Sequence, residues 1–320
     1  MKKRSSGFHG VVRQLSLMLV AFLFFTVSGF SQSYPFPQNY QYPNGLVYKG
    51  TSVQTTIQGL YNSWLATYYT EGTIGGDQCA RIKFVQSGES GTNSVSEGIA
   101  YGMLIMVYMD NSTNKTQDKF DRLWRYYKKN SNSNGVMNWK VNAFTGQVTA
   151  GAGNANGATD AELDAAQALL LAHKQWGSAG SIKYLDEAKT LTNAIWNTEV
   201  NQAQKLLKPG DAFDDYKNPC YFITNAMQLF ADVEASQNWT THDWASVIAN
   251  SYSLMEKTAN ASTGLIPDWC YADGSYISGI KDSKFESFFG YDAVRIPWRL
   301  AHAYAWYGDA KHLKAKTPCR

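Results

Sequence analysis

The stretch ATDAELDAAQALLLAHKQW, residues 158–176, sets the reading of this chain. Leu169, Ala172 and Trp176 recur along it at helical spacing, so an amphipathic helix is expected over residues 161–175. A loop rich in glycine and asparagine, TAGAGNANGAT (149–159), runs straight into its first acid, Asp160. The same arrangement stands upstream, where VQSGESGTNSVS (85–96) leads into Glu97. Helical period also marks residues 53–69, 97–109, 118–128, 182–195, 221–235, 244–258 and 297–306. Leu300, Ala303 and Trp306 keep the spacing in the last of these, and strand-like runs such as 81–86 are few and short. The fold class expected is all-α, with helix, loop and helix repeating as a toroid of helical hairpins.

Ordinary helix capping explains one acid at a helix start. Ser96 and Thr159 are good caps, and the helix dipole favours carboxylates in the first turn. A third acid calls for more. Asp292 lies just before Pro297, a residue tolerated in a helix's first turn but not in its interior. In a toroid of hairpins the inner helix starts face one rim, so Glu97, Asp160 and Asp292 are expected to converge on one cleft. Capping does not require that convergence.

The N-terminal end reads as an export signal. Lys2, Lys3, Arg4 and Arg13 precede the apolar run LSLMLVAFLFFTV (15–27), and Gly29-Phe30-Ser31 offers small residues for cleavage. Residues 1–31 are therefore expected to be a signal peptide and residues 32–320 a single catalytic domain; an uncleaved anchor is the alternative. Apart from that run, no stretch is long and apolar enough to cross a membrane. The leader carries four basic residues and no acid, so without it the formal charge falls from +3 to −1. No basic patch remains to recruit nucleic acid. A secreted protein, free of the membrane once cleaved, is expected. The four cysteines, Cys79, Cys220, Cys270 and Cys319, allow three disulfide pairings, and spacing does not choose among them. The chain has no CxxC or HxxxH-type spacing, so neither a metal nor another cofactor is expected. Twenty tyrosines and ten tryptophans suit a surface that stacks on sugars, and equally a large aromatic core.

Six blocks resemble glycoside hydrolase family 8: SVSEGIAYGMLIMVYMDN (94–111), NGVMNWKV (134–141), the stretch 158–176, NPCYF (218–222), GLIPDW (264–269) and GYDAVRIPWRLA (290–301). They follow the family's order from about Gly45 to the end of the chain. The resemblance implies an (α/α)6 barrel and an inverting endo-hydrolase of β-1,4-linked glycans. It implies Glu97 as proton donor, Asp292 as general base, and Asp160 as the residue that holds and distorts the sugar at the cut. It also implies Trp139 as a sugar platform, with Tyr291 and Arg295 flanking the base. Tyr216 and Tyr221 are further substrate-binding candidates.

The chemistry makes separate sense of these residue types. Inverting cleavage needs one carboxylic acid and one carboxylate, roughly 6.5–9.5 Å apart with a water between. The acid must keep its proton, through burial or a neighbouring carboxylate. Arg295, one turn past Asp292, can keep the base ionised; a plain salt bridge or capping role is the alternative. Departures from the family are Glu162 in place of a second Asp, Ala165 in place of a larger residue, and Cys220 in place of a small hydroxyl residue. Only 28 residues follow Asp292, so the barrel is expected either to close with fewer helices or to be incomplete at the C-terminus. Asp164 is either a supporting residue or a solvated acid, and Asp214 and Asp215 are weaker cleft candidates. His9, His173, His242, His302 and His312 show no triad or metal spacing, and are expected at the surface or in packing. The expected partner is a monomeric enzyme's substrate, a β-glucan of the carboxymethylcellulose type. Mixed-linkage glucan and xylan follow in that order. A non-catalytic glycan binder would not need the three matched carboxylates, and a polysaccharide lyase would handle uronic acids with Tyr, His, Lys or Arg.

Overall fold

Alanine spacing decides which helix sits at the centre. In the computed structural model, which describes residues 33–38, 44, 51–86, 88–151, 153–279 and 283–308, eight α-helices form. They are α1 Thr51–Tyr68, α2 Ser96–Tyr108, α3 Gln117–Lys129, α4 Thr159–Trp176, α5 Tyr184–Thr198, α6 Thr224–Ser236, α7 Trp244–Thr258 and α8 Ile296–Tyr307. All described residues belong to the unit Ser33–Arg320. Helix α4 is the most enclosed, with all but Leu171, His173 and Lys174 buried. Its small residues Ala161, Ala165, Ala166, Ala168 and Ala172 let neighbours approach on every side, and α2, α5 and α6 all pack on it. Helix α3 lies on α2, and α6 touches α7 and α8. Each expected helical segment is a helix here, with one shift: the segment 221–235 starts at Thr224, because Asn218 and Pro219 open a separate 3₁₀ turn over Pro219–Tyr221.

The predominantly helical fold expected is found, with short strands beside the helices. Four two-stranded antiparallel sheets occur among the described residues. They pair β1 Tyr69–Ile74 with β2 Asp77–Ile82, β3 Val85–Gln86 with β4 Glu89–Ser90, β5 Asn93–Val95 with β6 Lys140–Asn142, and β7 Val200–Asn201 with β8 Leu206–Leu207. The β1–β2 hairpin turns on Gly75 and Gly76, both at positive φ (59° and 89°), where a side chain would be strained. The short β5–β6 pair matters most, because it ties the start of α2 to the loop holding Trp139.

No helix among the described residues is long and apolar enough to cross a membrane. The leader 1–31 and residues 309–320 lie outside the described residues. Cys79, Cys220 and Cys270 are buried free thiols; Cys319 lies outside.

Candidate active site

Three chain segments are pinned so that their acids meet. Glu97 stands in the first turn of α2, and the Ser96 amide ahead of it donates to the Trp139 carbonyl at 3.0 Å. The Trp139 amide in turn donates to the Asn156 carbonyl at 2.8 Å, in the loop that enters α4. Asp160 stands in the first turn of α4, where the Thr159 hydroxyl donates to the Lys208 carbonyl at 2.7 Å. Asp292 precedes the 3₁₀ turn Ala293–Arg295 that runs into α8, and its side chain makes no capping bond there. Asp268 grips that corner: its Oδ1 accepts from the amides of Gly290 (3.1 Å) and Ala293 (2.6 Å). Only glycine fits at 290, since a Cβ there would lie 2.3 Å from the Phe288 ring and 2.5 Å from Asp268 Oδ2.

Arg295 joins the three acids. One terminal nitrogen donates to Glu97 Oε1, the other to Asp292 Oδ1, and the first lies 3.7 Å from Asp160 Oδ2. A single guanidinium spanning Glu97 and Asp292 limits their facing oxygens to roughly 8 Å, its own width plus two hydrogen bonds. Asp292 Oδ2 accepts a further bond from Asn218 Nδ2 at 2.7 Å.

Burial sets the electrostatics. Asp160 is 2% exposed, and its Oδ1 has no hydrogen-bond partner. Burial lifts its carboxyl well above the ordinary range; Arg299 opposes this, and Asp164, Glu162 and Asp292 reinforce it. Burial also raises Asp292, against the Asn218 hydrogen bond and with the Asp268 charge. Arg295 is pulled down to about 10, first by burial and then by the charge of Arg299.

The capping reading of Ser96 and Thr159 does not hold. Both are helical residues; the cap positions fall on Val95 and Ala158, and neither helix start has a side-chain cap bond. The Ser96 hydroxyl is buried without a partner, because the strand pairing of β5 with β6 already satisfies that corner through the backbone.

The aromatic candidates divide. Trp139 is half-buried beside the start of α2, with Lys140 Nζ 6.0 Å from its ring. Tyr291 is 81% exposed next to Asp292. Burial pushes the Tyr221 hydroxyl up, with the nearby charges of Asp160, Cys220 and Asp292 adding to it. Tyr216 sits farther out: a chain of ring contacts runs from Tyr221 to Trp269, then to Phe285, which touches Tyr216 at 5.2 Å and Phe213 at 5.4 Å.

Asp164 is no solvated acid. It is buried, and both its oxygens accept from Arg299, at 2.7 and 2.6 Å. Asp214 is bound by Lys217 and by Asn201 at 2.7 Å, and Asp215 is exposed. His242 pairs with Glu234 at 2.7 Å, His173 with Ser178 at 2.8 Å, and His302 packs on Trp306; His9 and His312 lie outside the described residues. Among the described residues no group of three or more His, Cys, Asp or Glu is arranged to hold a metal ion. Sequence reasoning missed Asn218, Asp268 and Arg299. The Asn218-Pro219 step, a turn opener, was the one signal for Asn218. Asp268 and Arg299 lie in the blocks 264–269 and 290–301, yet nothing local gives either a role.

The profile described as "Glycosyl hydrolases family 8" matches residues 34–319. Endoglucanase 2 of Ruminiclostridium josui is 38% identical over 92% of this chain and 60% of its own length. A beta-glucanase of Niallia circulans is 31% identical over 97% of this chain and 77% of its own. The apo structure of a beta-1,3-1,4-glucanase from Paenibacillus sp. X4 superposes with a TM-score of 0.76 at 31% identity, covering 89% of this chain and 76% of that one. The chain spans about six tenths of the length of the first curated relatives it matches.

Proposed function

This chain belongs to glycosyl hydrolases family 8, and from that premise we propose that it is a secreted endo-β-1,4-glucanase that cuts by inversion. Glu97 is the general acid and Asp292 the general base. The eight described helices are part of an (α/α)6 toroid, residues 1–31 are the export signal, and the enzyme works as a monomer without cofactor. One observation carries this reading: Arg295 gathers Glu97, Asp160 and Asp292 from three separate segments into one cluster beside Trp139 and Tyr291.

The geometry suggests the order of events. A glucan chain lies along Trp139 and Tyr291, whose rings stack on sugar faces, and extends toward Tyr221 and Tyr216. Asp160, whose carboxyl burial holds well above its ordinary range, hydrogen-bonds a hydroxyl of the sugar being distorted. Arg295 gives up its contact with Glu97 as the glycosidic oxygen arrives; Glu97, a carboxylate while paired with Arg295, takes up a proton from solvent and donates it to that oxygen. Asp292 keeps Arg295 and Asn218 as donors, takes a proton from water on the opposite face, and so drives attack at the anomeric carbon.

Carboxymethylcellulose-type glucan is the first substrate choice, with mixed-linkage glucan second. The likeness to a beta-1,3-1,4-glucanase structure favours that second choice specifically, and xylan ranks third. The deciding experiment is a panel of these polymers with reducing-sugar readout, product sizing and proton NMR of the first product. Mid-chain cleavage of a glucan with the α-anomer appearing first is expected. A β-anomer first would exclude inversion, and no hydrolysis of any polymer would leave a non-catalytic glycan binder.

A further inference from the structure

Asn218 is 1% exposed, and both ends of its amide are committed. Its Oδ1 accepts from the Cys220 amide at 3.1 Å, which caps the Pro219–Tyr221 turn, and its Nδ2 donates to Asp292 Oδ2 at 2.7 Å. Flipping the amide would set N–H against N–H at one end and oxygen against carboxylate at the other. The donor is therefore fixed in direction by the backbone, whatever the pH. Arg295, the other donor to Asp292, is shared with Glu97 and lies near Asp160, so its charge is divided among three acids. Asn218 serves Asp292 alone.

We propose that Asn218 is the positioning residue of the base: it aims the free lone pairs of Asp292 and favours its charged form. This rests on the reading of Asp292 as base given above. The groups facing Asp292 divide by sign. Arg295 on its own turn favours the anion. Asp268 from the 264–269 segment and Asp160 from α4 oppose it, and Cys220 and Tyr221 of the 3₁₀ turn lie close by. Arg299 faces Asp160 and Arg295 from α8. Against buried acids on two sides, an unshared donor decides how low in pH the base still works.

The test separates positioning from a structural role. Asn218→Asp keeps an acceptor for the Cys220 amide but replaces the donor with a like charge. Asn218→Ser keeps a cap and removes the donor without adding charge. The expected result is an acid limb of kcat/KM that moves to higher pH in both variants, by about one unit or more in Asn218→Asp. KM for the glucan should change less than kcat. An unmoved acid limb, with activity lowered equally at every pH, would overturn the proposal. If Asn218→Asp lacks the native circular dichroism spectrum, Asn218→Ser carries the test alone. Asp292→Asn is run beside them: if it stays active, the reading of Asp292 as base has failed. If it is inactive while the Asn218 variants keep the wild-type limb, only the role of Asn218 has failed.

Discussion

Arg295 and Arg299 stand one helical turn apart, and the molecule treats them in opposite ways. Arg295 divides its donors between Glu97 and Asp292, lies near Asp160 and keeps some exposure. Its guanidinium is pulled down to about 10 by burial and by its neighbour. Arg299 gives both terminal nitrogens to Asp164, is buried, and is pushed up by Asp164 despite the burial that opposes it. It also reaches the Tyr101 hydroxyl at 3.3 Å and lies over the Trp298 ring at 4.2 Å. A cation shared among several acids can release one when a substrate arrives. A cation forked onto one buried carboxylate, with its guanidinium stacked on an aromatic ring, holds its helix in place and acts on the acids above it only through its charge. Helix α4 carries the same contrast over one turn: Asp160 keeps one buried oxygen without a partner, while Asp164 has both oxygens paired.

The strongest way to break the comparison is to show that the rim acids matter to stability and the lower pair to chemistry. The expectation is the reverse. Glu97→Gln should keep its melting temperature near wild type and lose hydrolysis by about 10²–10⁴-fold, the usual cost of removing a general acid. A well-folded variant retaining a tenth of wild-type activity would remove Glu97 from that role. The lower pair is next in size. Arg299→Leu leaves Asp164 charged and buried, which should cost about 3–5 kcal/mol of unfolding free energy in a denaturant titration. The double variant Arg299→Leu, Asp164→Leu should recover most of that loss. Failure of the double variant to recover would mean that Arg299 acts through Tyr101 or Trp298 and not through the ion pair.

The smallest effect lies deeper still, in acids that touch neither arginine. Glu162 accepts from the Tyr127 hydroxyl (3.0 Å) and the amides of Met137 (3.2 Å) and Ala158 (3.1 Å), and Glu199 is buried with both oxygens unpartnered. Burial raises Glu162 to about 8, Tyr127 opposing, and lifts Glu199 well above its ordinary range with Glu162 adding to it. The sign follows from linkage: a carboxyl that holds its proton more tightly when folded stabilises fully below its unfolded pKa. That contribution is lost as pH rises toward about 8. Stability should therefore decline across that window, and Glu162→Gln should flatten the decline in melting temperature measured against pH. An unchanged slope would show that Glu162 does not titrate there.

Periodicity was enough to find all eight helices, because an amphipathic face repeats locally and needs no partner to be read. Glycine-rich loops running into acids marked Glu97 and Asp160 for the same reason. Their surroundings were not legible in this way. Ser96 and Thr159 look like caps by composition, yet long-range backbone bonds to Trp139 and Pro209 satisfy those corners and make both residues helical. Asp164 could have been solvated; its burial depends on Arg299, 135 residues away. Asn218 reaches Asp292 across 74 residues and Asp268 reaches the Ala293 amide beside it across 25, contacts that folding alone creates. Residue types and helix starts are properties of neighbouring positions along the chain, so they can be read directly. Which carboxylate loses its water, and which donor it receives in exchange, depends on how helices from distant parts of the chain pack around α4. Desolvation and hydrogen-bond geometry exist only once that packing has formed.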